Sequence, residues 1–159
     1  MKKLTTFFLA SALLFGAAAC ANEAKTSADA PNTTQASPEA PEADAAKSAQ
    51  EDATSQVRRD QLNADIRARE QRNNALNDGA AEGRDEDNVA SEVRSKLEAN
   101  LPASQLVVDA EDNGDVVVSG TVPTQAQLAK IEPLAKEIKG VKNVSVTAKV
   151  APAKPETNN

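Results

Sequence analysis

The chain has 159 residues, a formal net charge of −6, no His, Trp or Tyr, a single cysteine and only 2% aromatic side chains. That length leaves room for one small domain plus appendages. The composition excludes an internal disulfide, a Cys/His metal site and a histidine general base, and an acidic chain this poor in aromatics is a poor nucleic-acid binder. Phe7, Phe8 and Phe15 are the only aromatic residues. Any folded unit beyond them must build an aliphatic core from Val, Leu, Ile and Ala.

The N-terminus reads as an export signal over residues 1–19. Lys2 and Lys3 form a positive start, Leu4 to Phe15 a short apolar run, and Gly16-Ala17-Ala18-Ala19 a small-residue cleavage region. The apolar run is too short for a stable bilayer-spanning helix. Cys20 follows at the place where bacterial lipoproteins are cut and acylated, and the segment resembles a lipobox, with Ala17 where the usual pattern has Leu. Ordinary cleavage after Ala19 or Ala21 is the alternative, since A-x-A occurs at 17–19 and 19–21. An otherwise unpaired exported thiol favours acylation of Cys20. Loss of residues 1–19 removes two lysines and no acid, taking the charge from −6 to −8.

Residues 20–49 are rich in Ala, Pro, Glu, Asp, Ser and Thr, with Pro31, Pro38 and Pro41. They read as a disordered tether whose flexible coil would span about 30 Å. Residues 50–78 lack Pro and Gly and favour a charged helix. Val57, Leu62, Ile66 and Leu76 give it only a thin apolar line, and Asp65 and Arg69 stand at i,i+4. It is either a solvated helix or one that docks a partner or headgroups through Arg58, Arg59, Arg67, Arg69 and Arg72. The glycine-containing stretch around Gly79 and Gly83 ends it.

The folded unit is expected at 85–150. Its first helix, about 87–100, places Val89, Val93 and Leu97 on one face and carries acids at its start. Two strands, about 106–110 and 115–122, flank Asn113-Gly114, a hairpin turn pair. Thr124 caps a second helix with Leu128, Ile131, Ala135 and Ile138 on one face and Gly140 at its end. Pro133 inside it predicts a kink near 129–133 or a helix in two pieces. A third strand over 144–150 alternates apolar Val144, Val146, Ala148 and Val150 with polar neighbours. The fold class is α+β: a small α-β-β-α-β domain, a three-stranded mixed sheet with strand two central and both helices on one face. Residues 151–159 read as a disordered tail.

Asn113-Gly114, Ser119-Gly120-Thr121-Val122 and Gly140-Val141-Lys142-Asn143-Val144, in this order and spacing between the two helical stripes, resemble a BON domain, the module named for osmotically inducible protein Y and nodulation proteins. The match covers about 65 residues of the chain. The resemblance implies a non-enzymatic cell-envelope protein, without cofactor or metal, exported and in this case lipid-anchored, with the outer membrane facing the periplasm as its expected location. It also implies contact with phospholipid, or a role in envelope integrity and stress tolerance.

Candidate headgroup contacts are Lys136, Lys139 and Lys142, which equally suit a helix C-terminus. The net acidic domain opposes anionic lipid. The alternative is a protein-interaction module that recruits an envelope partner through helix 50–78 or a sheet edge. An enzyme is disfavoured: the carboxylates sit in acidic runs and on solvated faces, with no His, Tyr or Cys beside them.

Overall fold

In the computed structural model, residues 24–155 are described. The signal segment and Cys20 lie outside them. The domain core comprises α3 (Glu86–Asn100), β2 (Gln105–Ala110), β3 (Asp115–Val122), α4 (Gln125–Leu128), α5 (Ile131–Lys136), β4 (Asn143–Val146) and β5 (Lys149–Val150). They follow β1 (Ala24–Lys25), α1 (Ala43–Thr54) and α2 (Gln56–Leu76). Val89, Val93 and Leu97 of α3 pack with Ile131 and Ala135 of α5 against Leu106, Val108, Val116 and Val118 of the sheet. The expected α+β class, with β3 between an antiparallel β2 and a parallel β4, is what folds.

Local chemistry sets these elements. Asp85 Oδ1 accepts from the Asn88 N–H and caps α3. Thr124 Oγ1 accepts from the Gln127 N–H and starts α4. Pro133 lacks an N–H and crowds the preceding turn, and the second helix is in two pieces, α4 and α5. Gly120 turns β3 at φ +117°, and a Cβ there would overlap the Gln105 carbonyl oxygen.

Four expectations are corrected. The sheet has five strands, not three. The third strand is broken into β4 and β5: the ladder lapses between Val118↔Val146 and Thr121↔Lys149, opposite the turn of β3 at Gly120. Val150 is exposed. The added strand, β1, comes from the stretch expected to be a disordered tether. It pairs antiparallel with β2 through Ala24↔Val108 and Lys25↔Val107.

The next residue locks this pairing. The Thr26 N–H donates to the Leu106 carbonyl at 2.8 Å. Thr26 Oγ1 accepts from the Leu106 N–H at 2.8 Å and donates to the Ser104 carbonyl at 3.1 Å. Two residues carry no periodicity, so β1 forms because it satisfies the open edge of β2.

The third correction is that the charged helix is two helices meeting at Ser55, whose hydroxyl accepts from the Arg58 N–H. The first of them starts inside the supposed tether, where Pro41 precedes an alanine-rich stretch of high helix propensity. The fourth concerns the tail. The Ala151 N–H donates to the Val122 carbonyl at 3.0 Å and the Lys154 N–H to the Pro41 carbonyl at 2.9 Å. Residues 26–42 form a strap that meets residues 151–155 beside Gln105. There the sheet face turned away from α3 and α5 is also buried, at Val107, Ser119 and Thr121.

Candidate functional site

The three lysines singled out in the sequence go to three different places. Lys136 Nζ pairs with Glu132 Oε1 at 2.7 Å along α5. Lys139 Nζ donates to the Gly79 carbonyl, tying the turn after α5 to the α2–α3 connection. The stem of Lys142 lies over Gly114 of the hairpin, and its N–H donates to the Gly114 carbonyl at 2.8 Å. Lys139 and Lys142 thus belong to the hairpin end of the sheet, while Lys136 stays on the helix with an acid partner. That end is also rich in carboxylates. Glu86, pushed up by a hydrogen bond with Asp112 and by its charge, meets the hairpin there.

The densest polar constellation lies elsewhere, between α2 and α3. Only Leu62 of the thin apolar line is deeply buried, at 2% exposure, whereas Val57 and Leu76 are 68% and 86% exposed. The rest of the seam is charged. Arg58 Nε donates to Glu98 Oε1 at 2.5 Å, and Arg94 Nη1 to Glu98 Oε2 at 3.2 Å. Asp65 accepts from Arg69 Nε at 3.1 Å and from Ser95 Oγ at 3.0 Å. Arg69 Nη1 and Arg72 Nη2 both donate to Asn88 Oδ1, at 2.7 and 3.2 Å. Three arginines offered by the sequence as outward contacts, Arg58, Arg69 and Arg72, are therefore turned onto α3.

Electrostatics follow from this packing. Burial pushes the Asp65 carboxyl up, but hydrogen bonds from Arg69 and Ser95 and the charges of Arg69 and Arg94 hold it below its ordinary value. The hydrogen bond to Glu98 raises Arg58, against the effect of burial. Below the seam, Arg84 Nη2 meets Glu92 Oε1 at 2.6 Å, with both side chains buried. Arg84 Nη1 also donates to the Lys139 carbonyl. Burial raises the Glu92 carboxyl, and Arg84 restores it only in part. Glu92 Oε2 and Arg84 Nε have no hydrogen-bond partner.

Sequence reasoning missed Arg84, Glu92, Glu98 and Thr26. A signal for the seam was present: Asn88, Glu92 and Ser95 recur at helical spacing beside the Val89–Val93–Leu97 stripe. The polarity of Asn88, Glu92 and Ser95 made their line look solvated. Among the described residues no group of three or more His, Cys, Asp and Glu could hold a metal ion, and no helix is long and apolar enough to cross a membrane.

A mixed sheet with helices on one face defines a small α+β domain. Residues 85–152 match the family of the BON domain, and this segment of the chain is a BON domain. The family is one of non-catalytic binding domains whose members are typically periplasmic or envelope-associated. No curated protein and no solved structure matches the chain.

Proposed function

We propose that this chain is a non-enzymatic bacterial cell-envelope lipoprotein. In this reading residues 1–19 direct export and Cys20 is acylated and anchored in the outer membrane facing the periplasm. The BON domain contacts phospholipid or an envelope component and supports envelope integrity or stress tolerance. The observation that carries the reading is the BON match over 85–152 on a chain that begins with a signal-like segment ending in the sole cysteine. Lys136, Lys139 and Lys142 are the proposed headgroup contacts. Each near-surface lysine offers only about 1 kcal/mol toward anionic lipid, and Glu86, Glu111 and Asp112 crowd the same end as Lys139 and Lys142. The anchor therefore holds the protein and the lysines add only weak headgroup contacts.

A soluble form starting at Ala21 tests the headgroup contact. Mixed with phosphatidylglycerol-containing vesicles, it should bind weakly, lose binding as salt rises, and lose it entirely when all three lysines become Gln. Absence of binding at low salt would remove direct lipid recognition from the proposal. A second reading, recruitment of an envelope protein, is favoured by one observation: α2 exposes Val57 and Leu76 beyond its seam with α3. Capture of a defined envelope partner that is lost in a Val57→Ser/Leu76→Ser variant would support it.

A further inference from the structure

We infer that the chain after the anchor is a clamp and not a spacer: it holds the BON domain against the bilayer with the hairpin end of the sheet, residues 111–114 and 139–142, on the membrane side. This rests on the proposed acylation of Cys20. From Cys20 to Ala24 there are four peptide steps, which reach at most about 14 Å. At Ala24 the chain is already part of the sheet, paired to Val108, and Thr26 is buried and bonded to Leu106 and Ser104. A free tether over 20–49 would instead have let the domain wander about 30 Å from the surface.

The direction follows from register. β1 is antiparallel to β2, so Ala24 is entered from the Ala110 side. That is the side where Glu111 to Gly114 close the hairpin, Lys142 lies on Gly114, and Asp115 faces Asn143. The opposite end carries Pro102 and α4, joined by the Gln127 Nε2–Pro102 carbonyl bond of 3.1 Å. The length of β3 alone separates the two ends by about 24 Å. An anchor so short keeps Ala24 within about 14 Å of the headgroups, whereas the opposite end is free to swing farther out. The hairpin end presents Lys139 and Lys142, so covalent geometry and the proposed headgroup contacts converge on one surface.

The test uses the full-length acylated protein in phosphatidylethanolamine/phosphatidylglycerol vesicles containing headgroup-spin-labelled lipid. Intact mass first reports acylation of Cys20. A fluorophore is then placed at Glu111→Cys or at Ala126→Cys, both exposed positions. The Glu111 label should be quenched several-fold more strongly than the Ala126 label. Inserting a Gly-Ser spacer of about 20 residues, roughly 25 Å of flexible chain, after Asn22 should erase that difference while the protein stays on the vesicles. Equal quenching at native length, or a difference that survives the spacer, overturns the clamp and leaves the lipoprotein reading standing. A protein without acyl chains at Cys20 overturns both.

Discussion

Arg84 and Glu92 meet at 2.6 Å with both side chains almost fully enclosed, and the same guanidinium holds the Lys139 carbonyl. One residue just outside the family match thus joins the α2–α3 connection, α3 and the turn after α5. Substituting Arg84→Met strands a buried carboxylate and should cost about 3–5 kcal/mol at neutral pH. The double variant Arg84→Met/Glu92→Leu should recover most of that loss, because apolar side chains replace both charges. Urea unfolding of the three proteins checks the order.

The pair also gives a pH signature. The folded Glu92 carboxyl is raised above its ordinary 4.5 by burial. Its contribution to stability is therefore fully present below 4.5 and is lost as pH rises through the folded value. Glu92→Gln should flatten that part of the stability profile. Asp65 has the opposite sign: it is held below 3.8, so its contribution is present above 3.8 and is lost as pH falls through the lowered folded value. Asp65→Asn should remove the acid-side loss and leave the Glu92 slope unchanged.

The α2–α3 seam makes the folded unit larger than the family segment. Residues 85–152 alone lack Arg84, β1 and Leu62, and they should melt well below the 24–155 unit in calorimetry. Leu62→Ala in the whole chain should cost about 2–4 kcal/mol and raise amide exchange in α2 before the sheet. Val118→Asp, by contrast, puts a charge into the center of the core and should abolish the sheet and the docking of α2 together.

Thr26 fastens the strap. Thr26→Val keeps the shape but removes the acceptor for the Leu106 N–H and the donor to the Ser104 carbonyl. The expected cost is about 1–3 kcal/mol, with faster proteolysis confined to residues 24–42. Unchanged proteolysis would show that the strap is held by other contacts.

Two glycines separate strain from space. Gly83 has φ +64° with open space around it, so Gly83→Ala should cost about 1–2 kcal/mol from backbone conformation alone. At Gly120, φ is +117° and a Cβ would run into the Gln105 carbonyl across the β2–β3 ladder. Gly120→Ala should cost more than about 3 kcal/mol, read from the denaturation midpoints of the two variants.

What the sequence determined by itself was most of what local periodicity and turn chemistry carry. The Val89–Val93–Leu97 stripe, the Asn113-Gly114 hairpin, the Thr124 cap, the break one turn before Pro133 and the Asp65–Arg69 pair each depend on residues a few positions apart, and each forms. Tertiary structure alone decided whether a polar stretch is solvated or docked. Ala24–Thr26 reads as linker until the edge of β2, some 80 residues away, offers unpaired backbone groups. Arg58, Arg69 and Arg72 read as a free basic face until Glu98 and Asn88 stand opposite them. A hydrogen bond or ion pair takes its meaning from its partner, and no spacing within one segment encodes a partner that only folding brings near.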